Sequence, residues 1–133
     1  MKYMEKEFLD WHNKKSELNK KEHNVFFHER EIWFCYLGLN IGYEQNGDNK
    51  SFLRPVLILK KFNDRLFFGI PLTSSKKQEN KFYHKFSYVK DVESTAILSQ
   101  LKIIDSKRLK YLNGYIEKED FKIIKEKLHK LIT

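Results

Sequence analysis

Residues 52–75 read FLRPVLILKKFNDRLFFGIPLTSS, and the fold follows from how this stretch doubles back on itself. Phe52 to Leu59 is a β-prone apolar run with Pro55 near its start. Asn63-Asp64 supplies turn chemistry, and Leu66 to Leu72 returns in Phe, Ile and Leu, so the spacing predicts a hairpin. Antiparallel pairing sets the start of one strand beside the end of the other. Arg54 and Thr73 therefore emerge at the same open end. A guanidinium beside a hydroxyl donor is a good receptor for a phosphate diester. An Arg capping a sheet edge beside an ordinary Ser/Thr turn accounts for the same residues equally well.

Upstream of the hairpin, Val25-Phe26-Phe27 leads into Glu31 to Leu37, an aromatic-rich stretch that reads as a strand. Gly38 to Lys50 holds three Gly among Asn and Asp, the composition of a long loop. Downstream, Ser74 to Lys81 is a polar, Lys-rich loop. Short strands are expected around Lys85–Val89, Thr95–Leu98, Lys102–Ile104 and Tyr111–Ile116. Strands this short, broken by turns, build a small, strongly bent sheet or barrel. A helix closes the chain from about Lys118 to Leu131, with Phe121, Ile124, Leu128 and Leu131 along one face. Acids open it and lysines end it, matching the helix dipole.

Met1 to about Lys21 has no Gly or Pro and places Met1, Met4, Phe8, Trp11 and Leu18 at helical spacing, with Lys15 in the one gap. That is an amphipathic helix with one apolar stripe that includes the aromatics Phe8 and Trp11, expected to lie in a groove of the same domain or of a partner subunit. The chain thus divides into an N-terminal extension, residues 1–24, and a mostly-β body with a C-terminal helix, residues 25–133.

The 133 residues carry Lys+Arg 26 against Asp+Glu 18, a net +8 that favours anionic partners. Such a length suits one domain. Twenty aromatics (Phe 11, Tyr 7, Trp 2) argue against a disordered basic tail. A single cysteine, Cys35, excludes an internal disulfide and a zinc-type cysteine cluster, and its apolar strand points to packing rather than nucleophilic work. No apolar run reaches the roughly 18 residues of a membrane span, and the N-terminus lacks an apolar signal core, so a cytoplasmic protein is expected. Phosphate-loop, metal-ligand and nucleophile-elbow motifs are absent, so no metal or cofactor is expected. The five histidines are scattered; His84, in the basic region after Thr73, is the least bland. Lys60-Lys61 and Lys76-Lys77 read as solvated faces or as part of an anion-binding surface.

Several segments in order resemble the MazF/PemK family of toxin endoribonucleases. Arg30-Glu31-Ile32-Trp33, Gly42-Tyr43-Glu44-Gln45-Asn46-Gly47, Arg54-Pro55-Val56-Leu57 and Pro71-Leu72-Thr73-Ser74 are similar to its opening strand, G-x-E-Q loop, R-P-V-L strand and P-x-T-S segment. Gln100-Leu101-Lys102-Ile103-Ile104-Asp105 with Arg108-Leu109 resembles its Q-x-R-x-I-D…R-L block, and Asn113-Gly114-Tyr115-Ile116 its ending. The resemblance covers about residues 29–132. It implies an SH3-like barrel, a homodimer, metal-independent cleavage of single-stranded RNA (mRNA foremost), and inhibition by a cognate antitoxin.

The family's catalytic Arg and Thr fall on Arg54 and Thr73. Glu44 is then the available carboxylate for a general base or for holding Arg54, with His84 as fallback. RNA contacts are implied for Gln45, Ser74, Lys76, Lys77, His84, Gln100 and Lys102. Two positions depart from the family pattern. Ser99 stands where some members have an Asp, and Lys102 replaces the block's Arg. A non-catalytic RNA- or protein-binding barrel, and a gyrase-directed toxin of the same fold, are the alternative readings.

Overall fold

The structure is a computed structural model that describes residues 25–38 and 53–133. The amphipathic N-terminal stretch and the G-x-E-Q loop, with Glu44 and Gln45, lie outside the described residues.

Among the described residues, seven strands and one α-helix follow in chain order: β1 Glu31–Tyr36, β2 Leu53–Lys61, β3 Leu66–Thr73, β4 Tyr83–Val89, β5 Val92–Ile97, β6 Lys102–Asp105, β7 Leu109–Tyr115 and α1 Lys118–Ile132. All strand pairs are antiparallel. The sheet order is β4-β5-β3-β2-β1-β7, with β6 added alongside β3. β2 and β3 form the expected hairpin. Asn63 makes its turn, its side-chain oxygen accepting the backbone N–H groups of Arg65 (2.8 Å) and Leu66 (2.9 Å).

The expected strand entry at Val25–Phe27 is instead irregular chain ending in a turn at Glu29–Arg30. Arg30 takes the left-handed conformation, φ 76°, which is costly for a residue with a Cβ. Its bonds hold it there. Its N–H donates to Ile58 O, its own carbonyl accepts from Ile116 N, and its guanidinium reaches Ile116 O at 3.1 Å. The turn thus ties β2 to the end of β7.

Alternation along the strands sorts the core into two faces. Ile32, Leu57, Ile70, Leu72, Phe86 and Ala96 point to one side and pack with Phe121 and Ile124 of α1. Cys35, Val56, Ile58, Phe67 and Ile104 point to the other, closed by Phe27 and Leu109. The sheet curls until its two ends meet. The Tyr88 ring of β4 lies over Gly114 of β7, where a Cβ would come within 2.8 Å of it, and Asn113 Nδ2 donates to the Tyr88 hydroxyl at 2.7 Å.

Gly69 marks the tightest approach within the core. A Cβ there would sit 2.7 Å from both Ile104 Cδ1 and Val56 Cγ1, and Val56 is a stiff, fully buried neighbour. Gly69→Ala should destabilise the domain by about 1–3 kcal/mol through overpacking. Urea unfolding of the variant against wild type checks this.

Candidate active site

Arg54 lies near the start of β2 and Thr73 ends β3. The hairpin pairs Val56 with Pro71. Continued two residues toward the open end, this register sets Arg54 opposite Thr73. Directly opposed residues of an antiparallel pair project from the same face. The row extends on both sides, because Cys35 of β1 pairs with Arg54 and Thr95 of β5 pairs with Thr73. Lys85 of β4 in turn pairs with Thr95. Across five strands one face therefore carries Cys35, Arg54, Thr73, Thr95 and Lys85, the face away from α1.

The Arg54 guanidinium is partly withdrawn from water, with its Nε atom buried. Desolvation lowers its pKa from the usual value. Thr73 is buried at 3% exposure. Its Oγ1 accepts the Ser75 backbone N–H at 3.1 Å, a local turn that orients the hydroxyl and leaves its hydrogen to donate elsewhere. Near this row, Arg108 donates from Nη1 to Tyr36 O at 3.2 Å. Burial lowers its pKa, and Asp105 acts in the opposite sense. Cys35, fully enclosed, has its thiol pKa pushed far up by burial, with Arg108 only partly offsetting it. It is packing, not a nucleophile.

Lys102 sits opposite Gly69 on β6, on the Arg54 face and four residues along β3 from Thr73, roughly 13 Å by strand rise. Ser74 and Lys76 are exposed on the loop that leaves Thr73, and Lys77 is half-buried there. Gln100 ends a single 3-10 turn, Leu98–Gln100, between β5 and β6.

His84 is not brought to the pair. It pairs with Ala96, one register step from Lys85, and so faces the α1 side, where it is buried and stacks on Phe86 at 6.1 Å. Its Nε2 lies 2.8 Å from Asp120 of α1 and its Nδ1 3.2 Å from Glu79. Glu79 also accepts the Lys85 N–H at 2.8 Å and bonds the Lys127 ammonium, which donates further to the carbonyls of Asn80 and Tyr83. The cluster fastens the far end of the Thr73 loop to α1. Thr95 and Lys85 had no sequence signal, because only the β3–β5–β4 register aligns them with Thr73. Arg108 stood within the R-L block without an assigned role. Among the described residues no group of His, Cys, Asp and Glu is arranged to hold a metal ion.

Comparison with known proteins fixes the family. The family model of PemK-like, MazF-like toxins of type II toxin–antitoxin systems matches residues 28–132, and the chain belongs to that family. No curated protein sequence matches the chain. Among solved structures, MazF from Deinococcus radiodurans is similar with a TM-score of 0.64 at 16% identity, covering 82% of this chain and 98% of that one. Mycobacterium tuberculosis toxin MazF-mt6 gives 0.59 at 16% identity, covering 77% and 96%. An endoribonuclease in complex with its cognate antitoxin, from a mycobacterial species, gives 0.60 at 11% identity, covering 80% and 95%. The protein is a toxin of the MazF type, with the curled antiparallel sheet and C-terminal helix of that fold.

Burial alone would raise the Glu79 carboxyl, but Lys127, the Lys85 N–H and His84 hold it below the usual carboxylate range. A lowered folded-state pKa contributes stability above the unfolded pKa, lost as pH falls through the folded value. The stability difference between wild type and Glu79→Gln should therefore be full at neutral pH and fade at an acid pH below the usual carboxylate range. Urea titrations at the two pH values test it.

Proposed function

We propose that this toxin is a metal-independent endoribonuclease that cuts single-stranded RNA using Arg54 and Thr73. The observation that carries the reading is the register that sets a partly desolvated guanidinium opposite an oriented, buried hydroxyl on one face of the sheet, at the open end of the hairpin. The endoribonuclease named among the similar structures supports the same reading.

The RNA's own 2′-hydroxyl attacks the adjacent phosphorus in line with the departing 5′-oxygen. The new 2′-O–P bond closes a 2′,3′-cyclic phosphate, and the P–O5′ bond breaks. The 2′-hydroxyl proton passes to a base, and the 5′-oxygen leaves as a hydroxyl after taking a proton. The protein's task is to hold fixed donors on the non-bridging oxygens as charge gathers there. Arg54 supplies the permanent cation and Thr73 a directed O–H. Desolvation of Arg54 strengthens its field at the phosphate, and the leaving oxygen takes its proton from water. With His84 on the opposite face, Glu44 is the carboxylate assigned as base. Ser74, Lys76, Lys77 and Lys102 hold flanking phosphates, and Gln45 and Gln100 read the RNA. DNA lacks the nucleophile and is not cut. The active species is a homodimer, held in check by a cognate antitoxin in the cytoplasm.

Purified protein incubated with a long single-stranded RNA in EDTA should give discrete fragments with 5′-hydroxyl ends. Arg54→Ala and Thr73→Val should each lower the rate by about 10²–10³-fold, the scale of losing one transition-state donor. Intact RNA that nonetheless binds would replace this reading with that of a non-catalytic barrel. A substrate with one 2′-deoxy nucleotide at the cut site should resist cleavage there.

A further inference from the structure

The row that carries Arg54 and Thr73 continues past them across the sheet. Thr95 of β5 pairs with Thr73, and Lys85 of β4 pairs with Thr95, all on the face away from α1. With strands about 4.8 Å apart, the Lys85 backbone lies two strands, or roughly 10 Å, beyond Thr73. Two short side chains, Thr73 and Thr95, are thus bracketed by two long cations, Arg54 and Lys85. Tyr83, two residues before Lys85 on β4, shares that face and stands opposite Ile97.

The Lys85 ammonium is uncommitted. Its backbone N–H donates to Glu79 at 2.8 Å, but among the described residues its side chain forms no ion pair. Glu79 itself is engaged by the Lys127 ammonium and by His84. A cation with no internal acid to meet it is available to an external anion. Register sets Lys85 apart from the exposed lysines of α1, such as Lys122, because it stands in line with Arg54 and Thr73. Lys85 and Tyr83 are both half-buried, and a fixed cation beside an aromatic ring is the pairing that grips a single strand, backbone on the charge and base on the ring.

We infer that Lys85, Thr95 and Tyr83 form a subsite for the nucleotide next to the cleaved linkage. The Lys85 ammonium holds the phosphate flanking the scissile one, Thr95 keeps the floor between them low, and the base stacks on Tyr83. This rests on the proposed reading of Arg54 and Thr73 as the cleavage pair. A single strand presents one phosphate per nucleotide, so seating one phosphate at that pair carries its neighbour along the row toward β4. A phosphate contact holds register and direction without reading the base. Lys85 therefore fixes how the strand lies across the sheet, not which sequence is chosen.

The test uses the full-length protein and a short 2′-O-methyl RNA of randomised sequence, which lacks the nucleophilic hydroxyl and is bound without being cut. Losing one phosphate contact in Lys85→Gln should flatten the slope of log affinity against log salt by about 0.7. Its Kd should rise about three- to fivefold, the scale of an exposed ion pair. Tyr83→Leu should weaken binding about tenfold with no change of slope. Lys122→Gln, on α1, should alter neither quantity. In the cleavage assay, an uncharged methylphosphonate at one of the two linkages flanking the cut should raise KM about three- to fivefold for wild type and have no effect on Lys85→Gln. A slope unchanged in Lys85→Gln, or flattened equally in Lys122→Gln, overturns the subsite. So does a methylphosphonate effect that persists in Lys85→Gln. RNA bound with the expected slopes but never cut would keep the subsite and remove the Arg54–Thr73 reading. Cutting with slope and KM unaltered in Lys85→Gln would do the reverse.

Discussion

The structure depends on the register of one hairpin. Val56 against Pro71 fixes which side chains of β2 and β3 share a face, and a slip of one residue would turn Arg54 toward α1 while leaving Thr73 in place. The register is pinned from several directions. Asn63 locks the turn, Gly69 lets Ile104 and Val56 close over the strand, and the two apolar sets on β2 each have their own partners. Val56 and Ile58 bury on one face, Leu57 and Leu59 on the other. A strand that is apolar on both faces cannot slip without exposing one set and burying the Arg54 charge among the other.

The two faces divide the work of the domain. The α1 side carries the larger core, and His84, Glu79, Asp120 and Lys127 form a polar clasp at its edge. The opposite side carries the row from Cys35 to Lys85, in which a cation, two buried hydroxyls and a second cation follow across neighbouring strands about 4.8 Å apart. The clasp and the row meet at the loop after Thr73. One end of that loop is set by the Thr73 hydroxyl turn and the other by Glu79, so α1 and the candidate catalytic strand constrain the same nine residues, 74–82.

Much of this was legible in the sequence. The hairpin could be read because its apolar runs are uninterrupted and its turn is Asn-Asp. The Arg54–Thr73 juxtaposition then followed from antiparallel geometry alone. The closing helix could be read from its 3–4 spacing, and it spans Lys118–Ile132. His84 was misplaced for a physical reason. A histidine in a Lys-rich stretch looks solvated, and only the β4–β5 pairing reveals that alternation turns it toward the helix. Thr95 and Lys85 were invisible for the same reason. Their place beside Thr73 comes from a long-range register that no local pattern encodes. Val25–Phe27 read as β-prone from its aromatics, but Phe27 is buried as a plug beneath the sheet rather than paired within it.

The central claim is that Arg54 and Thr73 act together on one phosphate. It is tested most directly by a double-mutant cycle on RNA cleavage with Arg54→Lys and Thr73→Ser. Both substitutions keep charge or hydroxyl and so leave residual rates to measure. Two groups bound to the same phosphoryl oxygens should show a coupling of about 1–3 kcal/mol in kcat/KM, the double variant losing less than the product of the single losses. Strict additivity would contradict a shared phosphate and would separate the two residues into independent roles.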